Sequence, residues 1–481
     1  MESVMKTSQL SNVTDATPKE STADVSGTPF RSRKERRALG KSLREKCPRH
    51  LHGMWKPAAD RAEPVHLVQQ ADEGRLPELL ALRHGRMVQS PFTFYRGAAL
   101  NMANDLTSLP TPGIHVQCCG DAHLMNFGGF ATAERNIIFA INDLDETLPA
   151  PWDWDLKRLA ASFVIASRDN GLGDSIANDA VLACVRSYRE NMATFSEMKS
   201  LDLWYHAIEA EGLIASIADP ALRRRVIRRV EKERVHSLAE ELFPKLASGT
   251  GDSAIIKDER PTIFHPQGQK PGTLESAVKK AINRYRESLT PAQRVLIDRY
   301  RIVDEAIKVV GVGSVGTRCW VVLLMDGAGD PLFLQVKEAR ASVLEAYAGK
   351  SVYRNHGQRV VNGYRLMQPA SDMFLGWTKG ELGYDYYLRQ LRDIKVKPVI
   401  ETFGKVEMLG FADWCGQSLA LSHARSGDPS LITGYLGKSD AFDKAIATFS
   451  LLYADQNEAD HARFKEAIRS GTIKVEFDPP E

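Results

Sequence analysis

Apolar positions change period along the chain, and the changes mark its elements. Short apolar runs at Ile114 to Cys119 and Ile137 to Ile141 read as buried strands. From about Asp155 to Phe243 apolar residues recur at helical spacing, as in Leu159, Phe163 and Val164 and again in Leu182, Val185 and Tyr188. Before this region, Leu67 to Arg86 is helical with a break near Gly74 and Pro77, and Phe92 to Gly97 interrupts it. Pro, Gly, Ser and Asp rise between Pro244 and Gly272, a loop or lobe boundary, and Leu274 to Arg301 is helical again. The pattern then becomes β-rich: Ile307 to Val310, Thr317 to Met325 and, after a turn at Asp326-Gly327, Leu332 to Val336 ending at Lys337. Tyr386 to Leu391 reads as a further strand. Phe403 to Arg425 is helical with a stop at Ser426-Gly427, and the tail is helical to about Arg469, with an exposed break at Tyr453 to Gln456.

The two early strands each run into a polar loop. Gly120-Asp121-Ala122-His123-Leu124-Met125-Asn126 follows the first, and Asn142-Asp143-Leu144-Asp145-Glu146 follows the second. Carboxylates and amides gathered at strand ends repel one another and are costly to desolvate, so they need a partner. Hard oxygen donors select Mg²⁺ over a soft metal. Asp, then Asn, then a strand ending in Asp is also the order of a kinase catalytic loop and its metal loop. Asp155, before Leu156-Lys157-Arg158-Leu159, reads as a helix N-cap. Gly311-x-Gly313-x-x-Gly316 is followed by a strand, whereas a dinucleotide site would have a helix there. Strand, glycine loop, strand, turn and strand with a lysine is instead the pattern of a kinase nucleotide lobe. Lys337 is either that lysine or a strand-end surface residue. Arg96 is either a phosphate contact or a structural arginine paired to a carboxylate.

Gly120-Asp121-x-His123-x-x-Asn126 and Asn142-Asp143-Leu144-Asp145 resemble the catalytic core of aminoglycoside-phosphotransferase-like kinases, and Trp154-Asp155-Leu156 resembles the helix start that supports it from below. The resemblance implies that Asp121 positions the acceptor hydroxyl, that Asn126 and Asp143 hold Mg²⁺ with Asp145 a third ligand, and that Lys337 pairs with ATP phosphates beneath Gly311, Gly313 and Gly316. It also implies a carboxylate that orients the lysine; Glu345 and the uncharged Gln358 are the positions open to this. In such kinases the glycine loop and lysine come first, and here they come last. The expected fold is therefore α+β, a two-lobed protein-kinase-like fold, circularly permuted, with additional helices. Its parts would be a disordered tail (1–30), a helical lobe with the catalytic and metal loops (31–300), a β-rich nucleotide lobe (301–400) and C-terminal helices completing the helical lobe (401–481). The helix ending near Arg425 should then pack against the strand at Ile114 to Cys119. Phe94-Tyr95-Arg96-Gly97, Gln335-Val336-Lys337-Glu338-Ala339, Arg389-Gln390-Leu391 and Tyr453-Ala454-Asp455-Gln456, with the loops above, also resemble an uncharacterised bacterial family without a settled function.

Composition narrows the readings. Of 481 residues 43% are hydrophobic and 26% charged, ordinary for a globular protein with a large core. A net charge of +2 gives no global attraction to nucleic acid or membrane. The basic stretches Arg31 to Lys46 and Leu222 to Val230 lack interleaved aromatics and read as solvated helix faces. Six cysteines without metal-type spacing, and no long apolar run, give a reduced cytoplasmic setting with no membrane or nucleic-acid partner. The expected partners are a nucleotide and a small-molecule or protein acceptor. Two rivals stand beside the kinase reading. One is a nucleotide-binding regulator without turnover, suggested by Cys119, where related kinases have His. The other is a two-metal phosphoesterase, suggested by Gly120-Asp121-x-His123 but lacking the later ligand segment.

Overall fold

The computed structural model describes residues 31–236, 239–266, 276–391 and 394–479. The tail at 1–30 and part of the Pro- and Gly-rich boundary, 267–275, lie outside these residues. The fold is mixed α+β. Strand β1 (His115–Cys118) pairs antiparallel with β4 (Leu148–Pro151), and the hairpin β2 (Phe127–Ala131) and β3 (Ile137–Ile141) lies between them in sequence. All five β3 positions are buried, which is why its sequence is a continuous apolar run without alternation.

Helix α1 (Trp152–Asp169) follows directly and is buried from Trp152 to Ser167. It packs with α2 (Asp174–Glu197) into the main core, where Leu159, Phe163, Val164, Val185 and Tyr188 all lie. Buried charge needs a partner, and the charged residues within α1 have one. Lys157 Nζ donates to Asp153 Oδ2 at 2.6 Å, while Asp155 and Arg158 reach the loop after β1.

A six-stranded antiparallel sheet forms the second body. It comprises β5 (Ile263–Phe264), β6 (Tyr300–Lys308), β7 (Cys319–Asp326), β8 (Pro331–Ala339), β9 (Gly376–Lys379) and β10 (Asp385–Gln390), in the spatial order β9-β10-β8-β7-β6-β5. Helix α3 (His356–Met367) joins β8 to β9 and packs on both β9 and β10. Strand β11 (Lys395–Val396) then pairs with β2, tying the large sheet's exit to the early hairpin. Helices α4 (Lys405–Ser426) and α5 (Ala441–Arg469) return to the first body; α4 packs on α2, and α5 on α1 and α2. The end of α4 meets β1, where a Cβ at Gly427 would stand 2.5 Å from Val116 Cγ1.

Several expectations change. Leu274 to Arg301 is not one helix: Ser276–Glu287 and Pro291–Ile297 are separate helices, divided at the Thr290-Pro291 capping box, and β6 begins at Tyr300. Strand β8 continues to Ala339, so Lys337 is interior. Phe92 to Gly97 is itself helical, within Pro91–Gly97, since Ser90 and Thr93 form a capping box around Pro91. Tyr453 to Gln456 lies inside α5, where the Tyr453 ring is buried and its hydroxyl donates to Asp105 at 2.9 Å. The basic helix Arg33–Lys46 is not wholly a solvated face, because Arg44 Nε donates to the Tyr435 carbonyl at 2.7 Å. Among the described residues no helix is long and apolar enough to cross a membrane. All six cysteines are unpaired and buried.

Candidate functional site

The loop after β1 turns at Gly120, whose φ of +85° lies in the left-handed region. A Cβ there would stand 2.3 Å from the Glu146 carbonyl oxygen, so both conformation and space require glycine. The turn is held from below. Asp155 accepts the Cys119 and Gly120 N–H groups at 2.5 and 2.9 Å, and its Oδ2 lies 3.2 Å from His423 Nε2. Asp155 is thus no cap of its own helix: α1 starts three residues earlier, at Trp152, and the carboxylate caps a loop distant in sequence. Cys118, Asp155 and His423 come close together, but hydrogen bonds within the protein already engage the Asp155 oxygens.

One helical turn after Asp155, Arg158 donates from Nε to Asp121 Oδ1 at 2.9 Å, with Nη2 2.7 Å from the same oxygen. His123 Nε2 lies 3.7 Å from Asp121 Oδ2, and burial drives its pKa down to about 3. Asn126 Nδ2 donates to the Asp121 carbonyl at 2.7 Å, and the Asn142 N–H donates to the Asn126 carbonyl at 2.7 Å. The second bond joins the two loops.

Lys337 arrives from β8, paired in register with Cys319 on β7 and Tyr387 on β10. Its Nζ donates to Asp145 Oδ2 at 2.6 Å and lies 3.8 Å from Asp143 Oδ2. The Tyr387 hydroxyl donates to Asp145 Oδ1 at 2.6 Å. Burial by itself would raise the Asp145 pKa, but the Lys337 charge and the Lys337 and Tyr387 hydrogen bonds outweigh it and hold the carboxyl below its ordinary value. Asp143 moves the other way, raised by burial and by the Asp145 charge. Burial disfavours the Lys337 ammonium, yet the two aspartates more than offset this and raise its pKa.

A cavity of about 760 Å³ opens over this cluster, with Asp121, Asn126, Asp143 and Asp145 on one side and Gly311 and Gly313 on another. Gly316 does not line it; its carbonyl accepts the Leu76 N–H at 2.7 Å and anchors the glycine loop to the N-terminal helices. Arg75 and Arg86 secure the same loop through the Val315 and Gly311 carbonyls, at 2.6 and 2.8 Å. Glu345 lines the cavity without pairing with Lys337. Its carboxylate lies 3.7 Å from His356 Nδ1 and 4.0 Å from Arg359 Nε, because it opens a short helix turned toward α3. Gln358 helps cap α3 through its N–H to Asn355 Oδ1.

Asn126 and Asp143 offer hard oxygens suited to Mg²⁺, while both Asp145 oxygens are already engaged by Lys337 and Tyr387. Sequence reasoning assigned no role to Arg158, Tyr387 or Arg389. Arg389 Nη1 donates to the Asn142 carbonyl at 3.2 Å, steadying the loop that carries Asp143. The spacing of Asp155 and Arg158, one helical turn apart, was a usable signal for Arg158. Tyr387 required the register of β8 against β10.

A family described as an uncharacterized protein conserved in bacteria, DUF2252, matches residues 75–467. The chain belongs to this family. The match takes in the Asp121, Asp143 and Lys337 segments together, so the residues that meet at the cavity fall within the family's span. At a significant level the chain matches no curated protein and no solved structure.

Proposed function

We propose that the protein is an ATP- and Mg²⁺-dependent phosphotransferase built on a circularly permuted kinase-like fold. The observation that carries this reading is Lys337, within 4 Å of Asp143 and Asp145 in a cavity shared with the glycine loop, Asp121 and Asn126. A triphosphate needs a cation on its oxygens and backbone that can approach closely, and this arrangement offers both. Mg²⁺ held by Asn126 and Asp143 would neutralise charge on the phosphates. Asp121 would orient the acceptor hydroxyl, with Arg158 fixing its carboxylate. The contact between the end of α4 and β1 supports the permutation, since an unpermuted chain would run from one into the other.

A second reading, a nucleotide-binding regulator without turnover, draws support from the Arg158–Asp121 pair, because the guanidinium already occupies an oxygen of the carboxylate that would engage the acceptor hydroxyl. The two-metal phosphoesterase fits less well: an ammonium at 2.6 Å takes the Asp145 oxygen that a second metal would use. A thermal shift with ATP and Mg²⁺ is the test. Bound ligand raises the melting temperature by mass action, and Lys337→Ala should abolish the shift. A shift that persists unchanged in Lys337→Ala would remove the nucleotide assignment.

A further inference from the structure

Several arginines line the cavity, and Arg75, Arg83 and Arg340 are committed to the fold. Arg75 donates to the Ala71 and Val315 carbonyls, Arg83 pairs with Asp72, and Arg340 donates to the Ala71 and Glu73 carbonyls. Arg96 is different. Among the described residues its guanidinium has no hydrogen bond and no ion pair, and its Nε is sealed from solvent without a partner. Its guanidinium carbon lies 5.9 Å from the centre of the Phe92 ring. The backbone of Arg96 touches the glycine loop, since a Cβ on Gly313 would stand 3.2 Å from the Arg96 carbonyl oxygen. The preceding carbonyl, that of Tyr95, accepts from the Arg158 that grips Asp121. Arg96 therefore sits where the glycine loop and the Asp121 loop meet. Burial lowers its pKa, and Asp121 and Glu401 act against that from beyond ion-pair range.

A guanidinium nitrogen sealed from water without a partner is costly, and an anion accepting from that nitrogen relieves the cost. Its planar fork matches two oxygens of a phosphate. On the other side of the cluster Asp145 is already balanced by Lys337, so the uncompensated positive charge lies on the Asp121 side. We infer that Arg96 binds the terminal phosphoryl group of ATP while that group is transferred. This rests on the phosphotransferase reading and adds a residue to it. In the step, the bond between the terminal phosphorus and the bridging oxygen breaks, and ADP leaves with the electron pair. A bond from the acceptor oxygen to phosphorus forms, and the acceptor proton passes to the Asp121 carboxylate or to solvent. Arg96 holds the equatorial oxygens, where charge spreads as the phosphorus moves.

The discriminating measurement is the affinity for ATP and for ADP, each with Mg²⁺, by titration calorimetry on the full chain. In the wild type ATP should bind more tightly than ADP. Arg96→Gln should weaken ATP binding about tenfold and leave ADP binding unchanged, because only the terminal phosphate loses its partner. Arg96→Lys should recover part of the loss, and Lys337→Ala should weaken both nucleotides. Melting temperatures without ligand show whether each variant is folded; if Arg96→Gln is not, a smaller fall in the ATP-to-ADP ratio in Arg96→Lys carries the test. Equal weakening of both nucleotides, or of neither, overturns the Arg96 assignment and leaves nucleotide binding standing. A wild-type chain that binds neither nucleotide overturns the phosphotransferase reading, and the Arg96 assignment falls with it.

Discussion

Lys337 Nζ donates a 2.6 Å hydrogen bond to Asp145 Oδ2, across 192 residues of chain. The lysine side chain is 2% exposed and the aspartate 26%. Removing one member of a buried pair leaves the other charge uncompensated. Lys337→Met should therefore destabilise the protein by about 3 kcal/mol, the low end for such pairs because Asp145 retains some water. Adding Asp145→Asn should restore part of this. Urea unfolding curves of the two variants decide the matter; equal stability of wild type and Lys337→Met would mean that the pair contributes nothing.

Asp121 and Asp143 share a cavity but serve different partners in the proposed reaction. Asp143→Ala should weaken Mg²⁺-dependent nucleotide binding at least about tenfold, because an oxygen ligand is lost. Asp121→Ala should leave binding nearly intact while lowering turnover about 10²- to 10⁴-fold. Parallel binding and turnover assays separate the roles. Equal loss of binding in both would place the aspartates on one metal site.

Asp155 holds two backbone N–H groups of the Asp121 loop. Asp155→Ala strands both in a buried setting, at a cost of about 2–4 kcal/mol. Hydrogen exchange at Cys119 and Gly120 should quicken about 10- to 100-fold, more than in β3. A uniform change across the chain would instead indicate a global loss of packing.

His52 is fully buried, with its Nε2 2.7 Å from the Tyr435 hydroxyl and 3.7 Å from Cys47 Sγ, and its Nδ1 3.5 Å from Asp153 Oδ2. Burial and the nearby Lys157 charge lower its pKa, against the pull of Asp153. The unfolded chain then takes up a proton near pH 6.5 that the folded chain refuses, so stability falls as pH drops below that value. The slope from this group approaches about 1.4 kcal/mol per pH unit. His52→Gln should flatten the profile between pH 6.5 and 5 in thermal unfolding; an unaltered slope would assign the acid sensitivity elsewhere.

Local order made much of this protein readable in advance. β1, β3 and the loops that follow them were legible because a short strand is apolar where it is buried, at alternate positions in β1 and throughout β3, and a polar loop must end it. Gly120 and Asp121 belong to one such loop, and Asn126 and Asp143 meet through a hairpin of adjacent strands, so their approach needs no distant partner. The strands around Gly311 and Lys337 were readable for the same reason. Their boundaries were less so: β8 runs on to Ala339 because β10 continues the ladder to Asp385 after the pairing with β7 has ended at Cys319, which its own pattern does not record.

The distant pairings were decided only by the tertiary structure. Asp155 looks like a cap to its own helix, and became an acceptor for Cys119 and Gly120 because α1 is packed beneath that loop. Glu345 looked available to Lys337, yet turns to His356 and Arg359, while Asp145 takes the lysine. A side chain's partner depends on which elements dock and in what register, and that is set by the whole buried surface. The sequence alone therefore determined the short strands at Ile114 to Cys119 and Ile137 to Ile141 and the polar loops after them that bear Asp121, Asn126 and Asp143. The pairing of Lys337 with Asp145, and the unpartnered Arg96, followed from packing between segments that only the folded chain brings together.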